Sequence, residues 1–169
     1  HQILSTQVGK VIMSVHQQEF NGIRKTIIKD IDYLAPRLRQ EDKREVLDGT
    51  GMTPYQALLS GYMQSEICLT IIDTEDVPVG MFGVGKEGNI WLLATPEIKR
   101  IRFSFLRESR KVVKLLNKKY RLLWNYVDCR NELHLRWLKW CGFTFLRKIK
   151  YGVNQKPFYE FVKLCATQL

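Results

Sequence analysis

LLWNYVDCRNELHLRWLKWCGFTF, residues 122–145, changes pattern three times within one short stretch. Residues 122–128 read as a strand. Asn131 is placed to cap a short helix that ends at Trp140. Gly142 supplies the left-handed residue that stops such a helix, and Phe143 opens another strand. The unit is therefore strand–Asn–helix–Gly–Phe–strand, and the rest of the fold is read outward from it.

Downstream, residues 143–150 and 157–164 read as two strands joined by Tyr151-Gly152-Val153-Asn154-Gln155. Upstream, Pro96 opens a long helix with Thr95 as its cap. Its apolar stripe is Ile98, Ile101, Phe105, Val112, Leu115 and Leu116. Its other face carries Lys or Arg at 99, 100, 102, 107, 110, 111, 114, 118, 119 and 121. Before it come strands at 66–72, 79–84 and 90–95, the last two joined by Lys86-Glu87-Gly88-Asn89. A helix capped by Thr53 and Pro54 precedes them. A strand over 22–29 and a helix from Asp30, with Ile31, Leu34, Ala35 and Leu38 on its apolar face, open the domain. Residues 1–20 read as a leader, with Met13 as a candidate internal start.

The order is β-α-α-β-β-β-α-β-α-β-β. It fits a single α/β (α+β) domain over residues 21–169, with a mixed, mostly antiparallel sheet of about six to seven strands and helices on both faces. The segment 90–128 favours a crossover that makes one local parallel pair.

Composition narrows the function. No apolar run reaches the roughly 18–20 residues needed to span a bilayer. Cys68, Cys129, Cys141 and Cys165 form no C-x-x-C pair, so free buried thiols are expected. His1, His16 and His134 have no second ligand at helical or hairpin spacing, so no metal is expected. Gly80 to Lys86 nearly spells a phosphate loop, but Glu87 stands where Ser or Thr would hold magnesium, and no helix follows. Charge is lopsided. Residues 1–84 hold 8 Lys/Arg against 11 Asp/Glu, and residues 85–169 hold 19 against 6, giving −3 and +13. Polyanion contact through Lys99–Arg121 follows from this, without sequence-specific nucleic-acid readout, because no reading motif accompanies the basic helix.

The Asn131–Phe143 segment, with the order of elements across residues 22–164, resembles the Gcn5-related N-acetyltransferase (GNAT) superfamily. Residues 123–143, the PFYEF strand (157–161) and the segment Ile23–Val46, with Asp30, Leu34, Arg37, Arg39, Asp42 and Glu45, are similar to the GNAT-like internal virion (core) proteins of short-tailed bacteriophages. The resemblance implies a central parallel pair, 90–95 and 122–128, splayed around acetyl-coenzyme A or coenzyme A. It implies cofactor contacts at Leu92, Leu93, Thr95, Lys99, Arg100, Arg102, Ser104 and Asn131. Tyr126 and Asp128 are the catalytic candidates. It also implies phage virion or host proteins as partners, and the host cytoplasm or the virion interior as location.

The departures from the family pattern point to a degenerate coenzyme site. Its phosphate loop, Q/R-x-x-G-x-G/A, corresponds to Lys99–Ser104, where Arg102 takes a glycine place. No glycine occurs from Asn89 to Cys141. The usual acidic Tyr, seven residues after the Asn, is Leu138. The expected function is a weakly catalytic or non-catalytic virion or assembly protein; an active N-acetyltransferase of a host or phage protein is the alternative, and a polyanion or acidic-protein binding module a minor one. Whether the gap is open or plugged by Trp91, Trp124, Trp137 or Trp140 separates the first two.

Overall fold

The computed structural model describes residues 20–166. The leader expected over 1–20, with Met13, lies outside them except for Phe20, which is buried.

Seven strands form two antiparallel sheets. The first, in the order β1-β2-β3-β4, contains β1 (Ile23–Lys25), β2 (Ser65–Ile72), β3 (Pro78–Gly85) and β4 (Ile90–Ala94). The second, in the order β5-β7-β6, contains β5 (Leu122–Asp128), β6 (Thr144–Tyr151) and β7 (Lys156–Leu164). Helices α1 (Ile28–Leu34), α2 (Gln40–Thr50) and α3 (Pro54–Gln64) lie between β1 and β2 in sequence. Helix α4 (Arg102–Lys119) links β4 to β5, and α5 (Glu132–Trp140) links β5 to β6.

The period-two alternation of β4 divides two cores. Ile90, Leu92 and Ala94 pack with Phe105, Val112 and Leu116 of α4 and with Trp137 and Leu138 of α5. Leu93 packs on the opposite side with Ile31, Leu34, Leu58 and Met81, under α1–α3. Fully burying a side chain such as Leu34 or Leu58 stabilises by about 1.5–3 kcal/mol.

Four local expectations are corrected. The opening strand is shorter than 22–29, because the Asp30 carboxylate accepts the Ile27 N–H at 3.0 Å and starts α1 at Ile28. The helix expected from Asp30 is broken at Pro36 into α1, a 3-10 turn (Ala35–Arg37) and α2, since proline gives no N–H. The long helix begins with 3-10 winding over Pro96–Ile101 before α4 starts at Arg102. Asn131 precedes α5 but makes no side-chain cap, because its amide is held by Asp42 and Arg39. The Gly142 expectation holds: its φ is +88°. All four cysteines are free, though only Cys141 is fully buried. Burial pushes the Cys68 thiol up to about 11 and the Cys141 thiol up to about 12, so both stay protonated.

The two sheets meet at one point. Asn89 and Trp124 form a single parallel bridge, and the Trp124 N–H donates to Gly88 O at 3.1 Å. The Trp124 indole donates to Glu87 O at 3.0 Å, and the Asn125 amide to Ile90 O at 2.9 Å. Gly88 allows this approach: its φ is +88°, and a Cβ there would fall on the Leu122 carbonyl oxygen. Beyond this seam β4 and β5 diverge.

Candidate functional site

Splayed strands leave backbone groups without a ladder, and buried groups must be satisfied elsewhere. Helix α2 supplies the partners. At the β4 end, the Asp42 carboxylate accepts the Ala94 N–H at 2.9 Å, and the Arg39 N–H donates to Ala94 O at 2.9 Å. At the β5 end, Glu45 accepts the Asp128 N–H at 2.7 Å. Asp42 and Glu45 are three residues apart, so they share one helix face.

His134 of α5 stands between these carboxylates. Its Nε2 lies 3.1 Å from Asp42 Oδ1, off the hydrogen-bond direction, and its Nδ1 lies 3.5 Å from Glu45. Burial opposes a charged imidazole, but Asp42 and Glu45 outweigh it, so the His134 pKa is raised above its ordinary value.

Among the described residues, Asp42, Glu45 and His134 form the one group close enough to hold a metal, with ligand atoms within 4.8 Å of one another. The donors fit such an ion poorly. Asp42 already accepts from Asn131 at 2.9 Å, from Arg39 at 3.3 Å and from Ala94, and the Arg39 guanidinium would repel a cation. The cluster reads as a buried charge network.

Between the diverging strands lies a cavity of about 470 Å³. Its walls are Ile90–Leu93 of β4, Asn125–Val127 of β5, and residues of α2 and α3; Glu45, His134, Trp137 and Leu138 also reach it. Tyr126 faces it and stacks on Tyr151 at 4.4 Å. Burial holds the Tyr151 hydroxyl above its ordinary value.

Helices α4 and α5 pack against each other through buried rings. Phe105 of α4 stacks on Trp137 of α5, centroids 6.2 Å apart, and the Trp137 indole donates to Ser109 Oγ at 3.1 Å. The Trp140 indole donates to Leu106 O at 2.9 Å. No residue of 96–119 lines the cavity.

Of the residues expected at a site, Tyr126, Leu92 and Leu93 meet at the cavity. Asp128 does not line it; its buried carboxylate is taken by Arg130 at 2.6 and 2.9 Å. Thr95 is buried and accepts the Glu97 N–H at 3.3 Å. Lys99 is exposed, and Arg100 pairs with Glu97 at 3.0 Å. Arg102 lies over the exposed Phe103 ring, and Ser104 donates to Ile101 O at 3.1 Å. Asn131 belongs to the Asp42 network. Of the four tryptophans, Trp91 and Trp137 line the cavity, Trp124 holds the seam, and Trp140 is exposed. The cluster that sequence reasoning missed, Asp42–Glu45–His134, left one local signal, the Asp-x-x-Glu spacing on a helix.

Two strands that meet at a seam and part around a cavity, with helices on both faces, have close counterparts among solved structures. Spermidine N-acetyltransferase from Vibrio cholerae, in complex with CoA and spermine, superposes with a TM-score of 0.61 at 10% identity, covering 84% of this chain and 94% of its own. The fold is that of the GNAT acetyltransferases. A GNAT-family acetyltransferase from Bacillus anthracis gives 0.61 at 15% identity, covering 84% and 93%. The ribosomal-protein-S18-alanine N-acetyltransferase from Escherichia coli gives 0.61 at 11%, covering 87% and 95%. Identities this low establish the GNAT fold alone. A family model described as "Bacteriophage T7, probable scaffold protein Gp13" matches residues 69–149. No curated protein sequence matches the chain. Among the described residues no helix is long and apolar enough to cross a membrane.

The residues present fit coenzyme A poorly. The stretch corresponding to the phosphate loop carries Arg102 where the GNAT pattern has glycine, and none of Lys99–Ser104 lines the cavity.

Proposed function

We propose that this protein is a GNAT-fold virion-associated or assembly-associated phage protein whose acetyl-coenzyme A site is degenerate, leaving it weakly catalytic or inactive. The observation that carries this reading is that no residue of Lys99–Ser104, the stretch corresponding to the phosphate loop, lines the cavity between the strands. Leu138, at the place of the acidic Tyr, has no proton to give a leaving thiolate. The match of residues 69–149 to the phage scaffold family supports the assembly role, with phage virion or host proteins as partners.

Calorimetric titration with acetyl-coenzyme A tests it. The expected result is no heat of binding at micromolar protein and ligand. A micromolar dissociation constant with turnover on any amine overturns it.

Tyr126 and Glu45 at the cavity favour a second reading, an active N-acetyltransferase acting on a host or phage protein. New acetyl marks on host proteins after expression, read by mass spectrometry, are its expected result. Their absence, alongside no coenzyme binding, removes it.

A further inference from the structure

A second cavity, about 460 Å³, lies between α4, the turn after α5 and the end of β7. It shares no lining residue with the gap between the strands. Four of its ten lining residues are cations, Arg110, Lys114, Lys118 and Lys163, and none is acidic. We propose that this groove binds single-stranded nucleic acid, holding the phosphate backbone along the cations and stacking bases at Trp140.

Arg110, Lys114 and Lys118 are four residues apart, so they form one row along α4 with steps of about 6 Å. Their neighbours on the helix are neutralised: Arg107 and Lys111 pair with Glu108, and Lys119 with Glu66. The four groove cations have no carboxylate partner among the described residues. Lys163 is half-buried, and its ammonium lies against bare backbone, because a Cβ on Gly142 would come within 3.0 Å of Nζ. A partly desolvated cation without a counter-charge favours an anion.

The aromatic component selects nucleic acid over an acidic peptide. Trp140 is 41% exposed. Its ring is fixed by the indole bond to Leu106 O and by the Arg110 guanidinium 4.0 Å from its centroid, and Arg110 also donates to Trp140 O at 3.1 Å. A fixed aromatic ring beside a cation row is the arrangement that holds unpaired bases without reading their sequence. An acidic peptide would use the cations and leave the ring idle. The +13 half of the chain adds long-range attraction of the same sign.

Fluorescence anisotropy with labelled oligo(dT) of about 20 nucleotides tests the proposal. Binding should weaken with salt at a log–log slope of about −3, as four contacts to a single strand require. The double variant Lys114→Glu/Lys118→Glu should lose about tenfold or more in affinity at about 50 mM salt. The same charge change on β6, Lys148→Glu/Lys150→Glu, should cost less than about threefold. All four sites are exposed, so circular dichroism should report an unchanged fold. Trp140→Ala should weaken oligo(dT) but not inorganic polyphosphate. No binding at low salt, equal losses in the two double variants, polyglutamate bound as tightly as oligo(dT), or an unaltered Trp140→Ala would each overturn it.

Discussion

At the residue scale, His134 makes a prediction with a sign. Its pKa is raised in the folded protein by Asp42 and Glu45, against the cost of burial and the nearby Arg39. A raised basic pKa means that the folded state holds the proton more tightly than the unfolded chain. The stabilisation is therefore fully present below the ordinary value of about 6.5 and is lost as pH rises through the higher folded value. Thermal melts followed by circular dichroism should show the native protein losing stability across that window, and His134→Gln should flatten the dependence. Parallel pH profiles for the two proteins would show that folding leaves the imidazole's proton affinity unchanged. The residues of this cluster were visible in the chain, but their meeting was not. Asp42 and Asn131 lie 89 positions apart, and no local pattern announces a hydrogen bond of that span.

At the element scale, the seam between β4 and β5 depends on one backbone conformation. Gly88→Ala would place a methyl on the Leu122 carbonyl at positive φ. A loss of about 1–3 kcal/mol is expected, measured by denaturant unfolding. A variant as stable as the native protein would mean that the turn can relax without parting the sheets. The elements themselves were largely legible. The Thr53-Pro54 start of α3 and the Gly142 stop after α5 depend on local backbone chemistry, which a sequence carries in full. Asn131 misled because its residue type suits a cap while its partners come from α2. The 3-10 winding after Thr95 also escaped, since proline at the first position suits both helix types. For the candidate site, the strand at 90–95 carried Leu92 and Leu93, which the resemblance assigned to the cofactor, whereas the stacking of Phe105 on Trp137 depends on how two helices pack.

At the scale of the whole molecule, each sheet comes from one stretch of chain, residues 23–94 for the first and 122–164 for the second. Their backbone pairing across the gap is confined to the bridge at Asn89 and Trp124. Helix α2 adds side-chain bonds at the far end, through Asp42 to Ala94 and Glu45 to Asp128. The core under α1–α3 draws only on residues 31–93, whereas the other core spans both sheets. Such a division governs how the molecule comes apart. Native-state hydrogen exchange should reveal the second sheet opening as a cooperative unit, with amides of β5–β7 exchanging together while Met81 and Phe82 of β3 stay protected until global unfolding. One common opening energy for all strands would indicate a single unit instead. A sheet whose backbone joins its neighbour at one corner, with two carboxylate bonds at the far end, leaves the shared core as the main tie that must loosen before the second sheet moves as a block.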